Sequence, residues 1–178
     1  KKNYPVRILP MSIRRRLRSG RSVEIGRIEK EPLMDNFSRE KRSYVMSRVP
    51  REGTKPEHIV RKFLFSHGFR YRVNVKKLPG SPDIVLSKYK TVIFIHGCFW
   101  HGHTCKYAAL PTSNETFWFD KIAKNKERDA TKNSLLREAG WHVVVVWQCE
   151  LKNTEIRKRR LELLLEQIRS VQNQVDYE

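Results

Sequence analysis

A chain of 178 residues with 37 Lys and Arg against 19 Asp and Glu carries a formal charge of +18. Its 39% apolar content suffices for one sizeable core, which argues against disorder throughout, and the positive surface favours a polyanionic partner, nucleic acid first, over a neutral small molecule. No apolar run reaches the roughly 18–20 residues that span a bilayer, and no signal-peptide apolar stretch follows the basic N-terminus. The expectation is a cytoplasmic protein, nucleoid-associated if bacterial, without a membrane partner. Three cysteines cannot all enter disulfides and are free to bind a metal.

Residues 1–33 hold ten Lys/Arg and three Asp/Glu and read as a basic extension: either a flexible arm that touches phosphates or a solvated tail without a role. Residues 34–178 form the folded domain. Within it, Ser38 caps a short helix that ends before Pro50, and Lys55 to Gly68 is an amphipathic helix with Ile59, Val60, Phe63 and Leu64 on one stripe. Phe69 to Val75 alternates like a strand, and Asp83 to Ser87 and Thr91 to Ile95 are short apolar strands joined by a turn at 87–90. An irregular stretch from His96 to Asn114 follows. A long charged helix marked by Phe117, Ile122, Leu135, Leu136 and Ala139 runs to Gly140. Trp141 to Trp147 reads as a fully buried strand with both tryptophans in the core, and Leu161, Leu164, Leu165, Ile168 and Val171 mark a last helix. This order predicts an α/β sandwich around a central mixed sheet.

The densest chemistry lies between Ile95 and Cys105, where three His, two Cys, a Phe and a Trp share eleven positions. Cys98, His103 and Cys105, with Cys149 after the valine-rich strand, make a four-ligand tetrahedral set for structural Zn²⁺ that leaves no position open for a substrate water. That assignment leaves His96 and His101 unspent. A hairpin would bring Asp83 and His96 to one sheet end, where a carboxylate, a backbone carbonyl and imidazoles could hold Mg²⁺ on a scissile phosphate and supply a general base. Asp129 on the long helix would orient one histidine. Phe99 and Trp100 lie beside this chemistry and either wedge between stacked bases or cap the core. Trp118 either joins them or packs its helix onto the sheet.

With these residues in hand, the chain resembles the very short patch repair (Vsr) endonuclease family over roughly residues 38–151. The resemblance rests on Leu78-Pro-Gly-Ser-Pro-Asp83, Val92-Ile-Phe-Ile-His-Gly-Cys-Phe-Trp-His101, Phe117-Trp-Phe-Asp-Lys-Ile122, Glu127-Arg-Asp129 and Val146-Trp-Gln-Cys149. It implies a restriction-endonuclease-like fold and nicking of one DNA strand 5′ of the T in T:G mismatches left by deaminated 5-methylcytosine. It also implies Asp83 as a metal ligand, His96, His101 and Asp129 as active-site residues, and Glu57 as an acidic group approaching the metal. The zinc set carries over intact. Phe99, Trp100 and Trp118 match aromatics that enter the DNA from the major groove, and Met46 matches a side chain entering from the other groove. Ile95 departs from the family's threonine: a magnesium ligand that is the backbone carbonyl of residue 95 would survive the change, a hydroxyl ligand would not. A monomer is expected, with DNA and possible repair-pathway proteins as partners.

Two rivals stand beside this reading. One is a Vsr-like nuclease that cuts matched DNA at a defined sequence, in restriction or homing. The other is a zinc-stabilised DNA-binding protein without catalysis. A zinc hydrolase of small substrates would require an open zinc position.

Overall fold

Valine, isoleucine and phenylalanine crowd the long strands because both faces of the sheet are covered. The computed structural model describes residues 38–50, 52–111 and 114–175; the basic extension 1–33 lies outside them. In chain order the elements are helix α1 (Arg39–Ser47), helix α2 (Lys55–Ser66), strands β1 (Arg72–Val73), β2 (Ile84–Leu86) and β3 (Thr91–His96), helix α3 (Glu115–Glu138), strand β4 (His142–Trp147) and helix α4 (Thr154–Val175). Short 3-10 turns cover Ser87–Tyr89, Lys106–Ala108 and Gln148–Leu151. The four strands lie in the order β1-β2-β3-β4, antiparallel at the first two junctions and parallel between β3 and β4. This is the mixed α/β sandwich expected from the sequence.

Period-2 alternation sorts the side chains to two sides. Ile84, Leu86, Ile93, Val144 and Val146 face α2 and α4 and join Val60, Leu64, Leu161, Leu164 and Ile168 in a core cluster of thirteen buried residues. Val85, Val92 and Phe94 face the other way and meet only Leu136 of α3 as a fourth buried member. Each fully buried aliphatic side chain contributes roughly 1.5–3 kcal/mol, so the first face carries most of the stability. The α3 face is thinly held by comparison.

The helix starts follow local rules. Lys41 N donates to Ser38 Oγ at 3.2 Å, capping α1. Pro56 stands in the first turn of α2, where its missing N–H costs nothing. Four expectations need correction. The strand expected over 69–75 shrinks to Arg72–Val73, because Asn74 turns the chain at a φ of 49° while Phe69 leaves the ladder to pack on Tyr89. His96 closes β3 rather than opening the irregular stretch. On α3, Phe117 and Leu135 are exposed; only Ile122, Asn125 and Leu136 are buried, since the sheet beneath is too narrow to cover 24 residues of helix. β4 is fully buried only at Val144 and Val146, because its other side meets the sparse α3 face.

Candidate active site and metal centre

The site begins with strand direction. Parallel β3 and β4 end side by side, with His96 opposite Trp147, so the segments leaving them, with Cys98 on one and Cys149 on the other, must be neighbours. The loop after β3 folds at once into tight turns: His101 N donates to Gly97 O at 3.2 Å and His103 N to Cys98 O at 3.0 Å. Cys98, His103, Cys105 and Cys149 thereby offer ligand atoms that all lie within 4.8 Å of one another, with Cys149 Sγ 3.5 Å from His103 Nδ1. Burial and the Cys98 and Cys105 thiols push the Cys149 thiol up to about 12, and burial also raises Cys98. At Cys105 burial works the same way, but hydrogen bonds from His103, the Tyr107 backbone and the other thiols outweigh it and bring the group down to about 7. The cluster eases Cys105 towards its thiolate while holding Cys98 and Cys149 protonated, a balance that a divalent cation would shift, and three sulfurs with one imidazole fit Zn²⁺.

Helix α3 grips the same loop with one stripe at helical spacing. Asn125 Nδ2 donates to Trp100 O at 2.9 Å, and the Asn125 carbonyl oxygen receives Arg128. A Cβ on Gly102, whose φ is +61°, would stand 2.7 Å from Ile122 Cγ2, so the backbone lies directly on the helix. One turn further on, His101 Nδ1 meets Asp129 Oδ2 at 2.5 Å. Burial raises the Asp129 carboxyl, but the His101 hydrogen bond and the charges of His101, His96 and Arg128 outweigh it and hold the group below the usual carboxylate range. An ionised Asp129 assigns the proton of His101 to Nδ1 and leaves Nε2 as a lone-pair acceptor.

His96 stacks on His101 with ring centroids 3.8 Å apart and planes at 9°. Burial, then the charge of His101, pushes His96 down to about 4, so it is neutral at physiological pH. The ligand atoms of His96, His101 and Asp129 also lie within 4.8 Å of one another. Stacked rings send their in-plane lone pairs side by side rather than to one point, and His101 already engages Asp129, so this trio suits proton handling better than chelation.

Across the cleft, Asp83 immediately precedes β2, and its Oδ2 accepts from Ile95 N at 2.7 Å, which fixes the carboxylate at the sheet end. Burial raises it to about 6; Ile95 N–H opposes this, Glu57 adds to it, and Arg61 and His101 oppose it. A site that resists a lone negative charge is a fit place for a divalent cation. Ile95 turns its side chain into the larger core, so the departure from threonine is a packing residue and the backbone is what remains for the cleft. Glu57 is 2% exposed, and its carboxylate accepts from Gly53 N, Thr54 N, Thr54 Oγ1 and Arg61 Nη2 at 2.8–3.2 Å. Its first role is therefore to cap α2, and Arg61 Nη2 carries the link on to Asp83 O at 3.3 Å.

Asp83, Ile95, His96, His101, Asp129, Glu57, Trp100 and Met46 line one cleft. Met46 of α1 is 41% exposed there. Phe99, Trp100 and Trp118 form an edge-to-face cluster at 5.0–6.1 Å, so Trp118 joins the loop aromatics rather than the sheet. Trp141 packs on the smaller core as expected, but Trp147 does not behave as a core residue: its ring lies between His103 and His96. Asn125 and Arg61 escaped the sequence reading. A signal for Asn125 was present, since it sits four residues before Asp129 on the same helix face.

The profile of the family described as DNA mismatch endonuclease Vsr matches residues 34–107. The chain is 54% identical over 137 residues, 77% of its length, to the type II nicking enzyme V.NmeAIP of Neisseria meningitidis, covering 98% of that protein. It is 45% identical to the type II nicking enzyme V.XorIIP of Xanthomonas oryzae over 75% of this chain and 98% of that one. To the DNA mismatch endonuclease Vsr of Escherichia coli it is 40% identical over 69% of this chain and 79% of that one.

Proposed function

The chain belongs to the Vsr family of DNA mismatch endonucleases, and from that premise we propose that it nicks one strand of duplex DNA 5′ of the T in a T:G mismatch, with Mg²⁺ at Asp83 and a structural Zn²⁺ at Cys98, His103, Cys105 and Cys149. With Mg²⁺ held by Asp83 and the Ile95 carbonyl, negative charge developing on the scissile phosphate would be neutralised in place. His101 Nε2 takes the proton of the attacking water as the water oxygen bonds to phosphorus, the P–O3′ bond breaks, and the leaving O3′ collects a proton from solvent. Asp129 holds the other ring nitrogen in its protonated form, so the base keeps one tautomer and one orientation. His96, kept neutral by burial, offers an uncharged imidazole suited to a hydrogen bond on the leaving oxygen. Glu57, committed to the start of α2, acts on the metal site through Arg61 and the Asp83 backbone. Phe99, Trp100 and Trp118 supply a stacking surface on one part of the duplex and Met46 on another. Opening a base step costs a few kcal/mol, least at a mispair, which gives selectivity before any base edge is read.

The observation that carries this reading is the His101–Asp129 pair at 2.5 Å in the same cleft as Asp83. The relatives named type II nicking enzymes favour one second reading, a nuclease acting on matched DNA of defined sequence. Nicking of T:G and T:A duplexes of identical sequence in Mg²⁺ separates the two. A T:G rate well above the T:A rate is expected; equal rates would overturn mismatch specificity, and no nicking of either would leave a zinc-stabilised DNA binder.

A further inference from the structure

Resting on that reading of the cleft, we propose that Trp147 is a positioning residue: it sets the orientation of His96 and ties it to the cysteine-bearing loop. The sequence places this indole after four consecutive valines at the end of β4, where it passes for core. The register places it differently. Residues opposite one another on neighbouring strands point to the same side, and Trp147 lies opposite His96, so both rings stand on the α3 face beside Phe94.

One side of the indole stacks on His103, with centroids 4.3 Å apart and planes at 20°. With His96 it meets nearly at right angles, the centroids 5.3 Å apart and the planes at 76°. His96 in turn stacks on His101. A continuous row of four rings, His103, Trp147, His96 and His101, therefore runs from the metal ligands to the residue that would accept the water proton. His96 has little else to hold it, since its ring nitrogens make no hydrogen bond with the described residues and packing alone selects its rotamer. Trp147 itself is well anchored. Its backbone N–H donates to Glu150 Oε2 at 2.7 Å, that oxygen also accepts from Arg160 Nε at 3.1 Å, and Arg160 Nη2 donates to Val145 O at 2.8 Å. Helix α4 thus fixes the strand end that carries the indole.

The test uses the zinc-loaded full chain with Trp147→Leu and Trp147→Phe, and Trp147→Met if the leucine variant does not fold. Three quantities are read: thiolate-to-metal absorption of the Co²⁺-substituted protein, the His96 ring signals in ¹H–¹⁵N spectra, and single-turnover nicking of a T:G duplex beside its dissociation constant. In the leucine variant the Co²⁺ bands should persist, the His96 signals should shift and broaden, and the nicking rate should fall by about 10- to 100-fold, the scale of a small misplacement of a reacting group. DNA affinity should stay within about twofold, and phenylalanine should restore most of the rate. Unmoved His96 signals with an unchanged rate would overturn the proposal. Loss of the Co²⁺ bands in step with activity would also overturn it, by making Trp147 a support of the metal centre alone. If the unsubstituted protein nicks no DNA, the functional reading fails, while the His96 signals still decide the role of Trp147.

Discussion

His101 can serve as a base because of what lies on its far side. With Asp129 ionised and hydrogen-bonded to Nδ1, the ring presents its lone pair to the cleft; without it the tautomer is free to invert. Asp129→Asn should lower the single-turnover nicking rate by about 10²- to 10⁴-fold, the range over which an oriented base contributes, with little change in DNA affinity. Asp83 illustrates a cost of function. Its carboxyl is raised from 3.8 to about 6, so the folded state binds this proton more tightly than the unfolded chain does. Its favourable contribution is complete below about pH 4 and is lost as the pH rises through 6. In Mg²⁺-free buffer at pH 7, Asp83→Asn should therefore raise unfolding stability by about 2–3 kcal/mol, and in Mg²⁺ the same substitution should abolish nicking. Denaturant titration checks this, and the gain should vanish near pH 4. The placement of Asp83, His96 and His101 in one cleft was legible in the sequence because residue types and spacing limited the choices. That of Trp147 was not, since valine neighbours disguise it.

Among the elements, helix α3 does much with little burial, three buried residues in 24. Its residues Ile122, Asn125, Lys126 and Asp129 form the rail on which the cysteine-bearing loop rests, and Gly102 is where loop backbone meets rail most closely. Gly102→Ala combines a strained positive φ with a Cβ 2.7 Å from Ile122. It should cost about 1–3 kcal/mol of stability and displace Trp100 and His101 together. Thermal unfolding and mismatch nicking should fall in parallel, whereas Gly68→Ala, whose Cβ meets nothing within 4 Å, should cost only backbone strain. The amphipathic stripe of α2, the leucine stripe of α4 and the apolar runs of β2 and β3 were readable because periodicity records burial. β1 was over-read, as alternation of aromatic and polar residues describes a turn that buries Phe69 as well as it describes a strand.

At the scale of the molecule, positive charge is spread over both the folded domain and the extension. The folded domain brings the cleft, the aromatic cluster and net positive charge; residues 1–33 add a net +7. If that extension neutralises phosphates, its removal should weaken binding to matched and mismatched DNA alike and flatten the slope of log K against log salt, by roughly 0.9 for each phosphate that the shortened chain leaves unneutralised. The T:G to T:A preference should stay as it was. Fluorescence anisotropy at several salt concentrations measures the slope, and an unaltered slope would mark the segment as a solvated tail. Sequence by itself pointed to the class of partner through net charge, to the class of fold through the order of periodicities, and to the Cys98, His103, Cys105 and Cys149 cluster through its set of soft ligands. Tertiary structure alone decided which rings stack, that Ile95 gives its side chain to the core, and that Glu57 is spent on capping its own helix. Those outcomes depend on strand register and on which neighbours reach a group first, and one-dimensional spacing specifies neither.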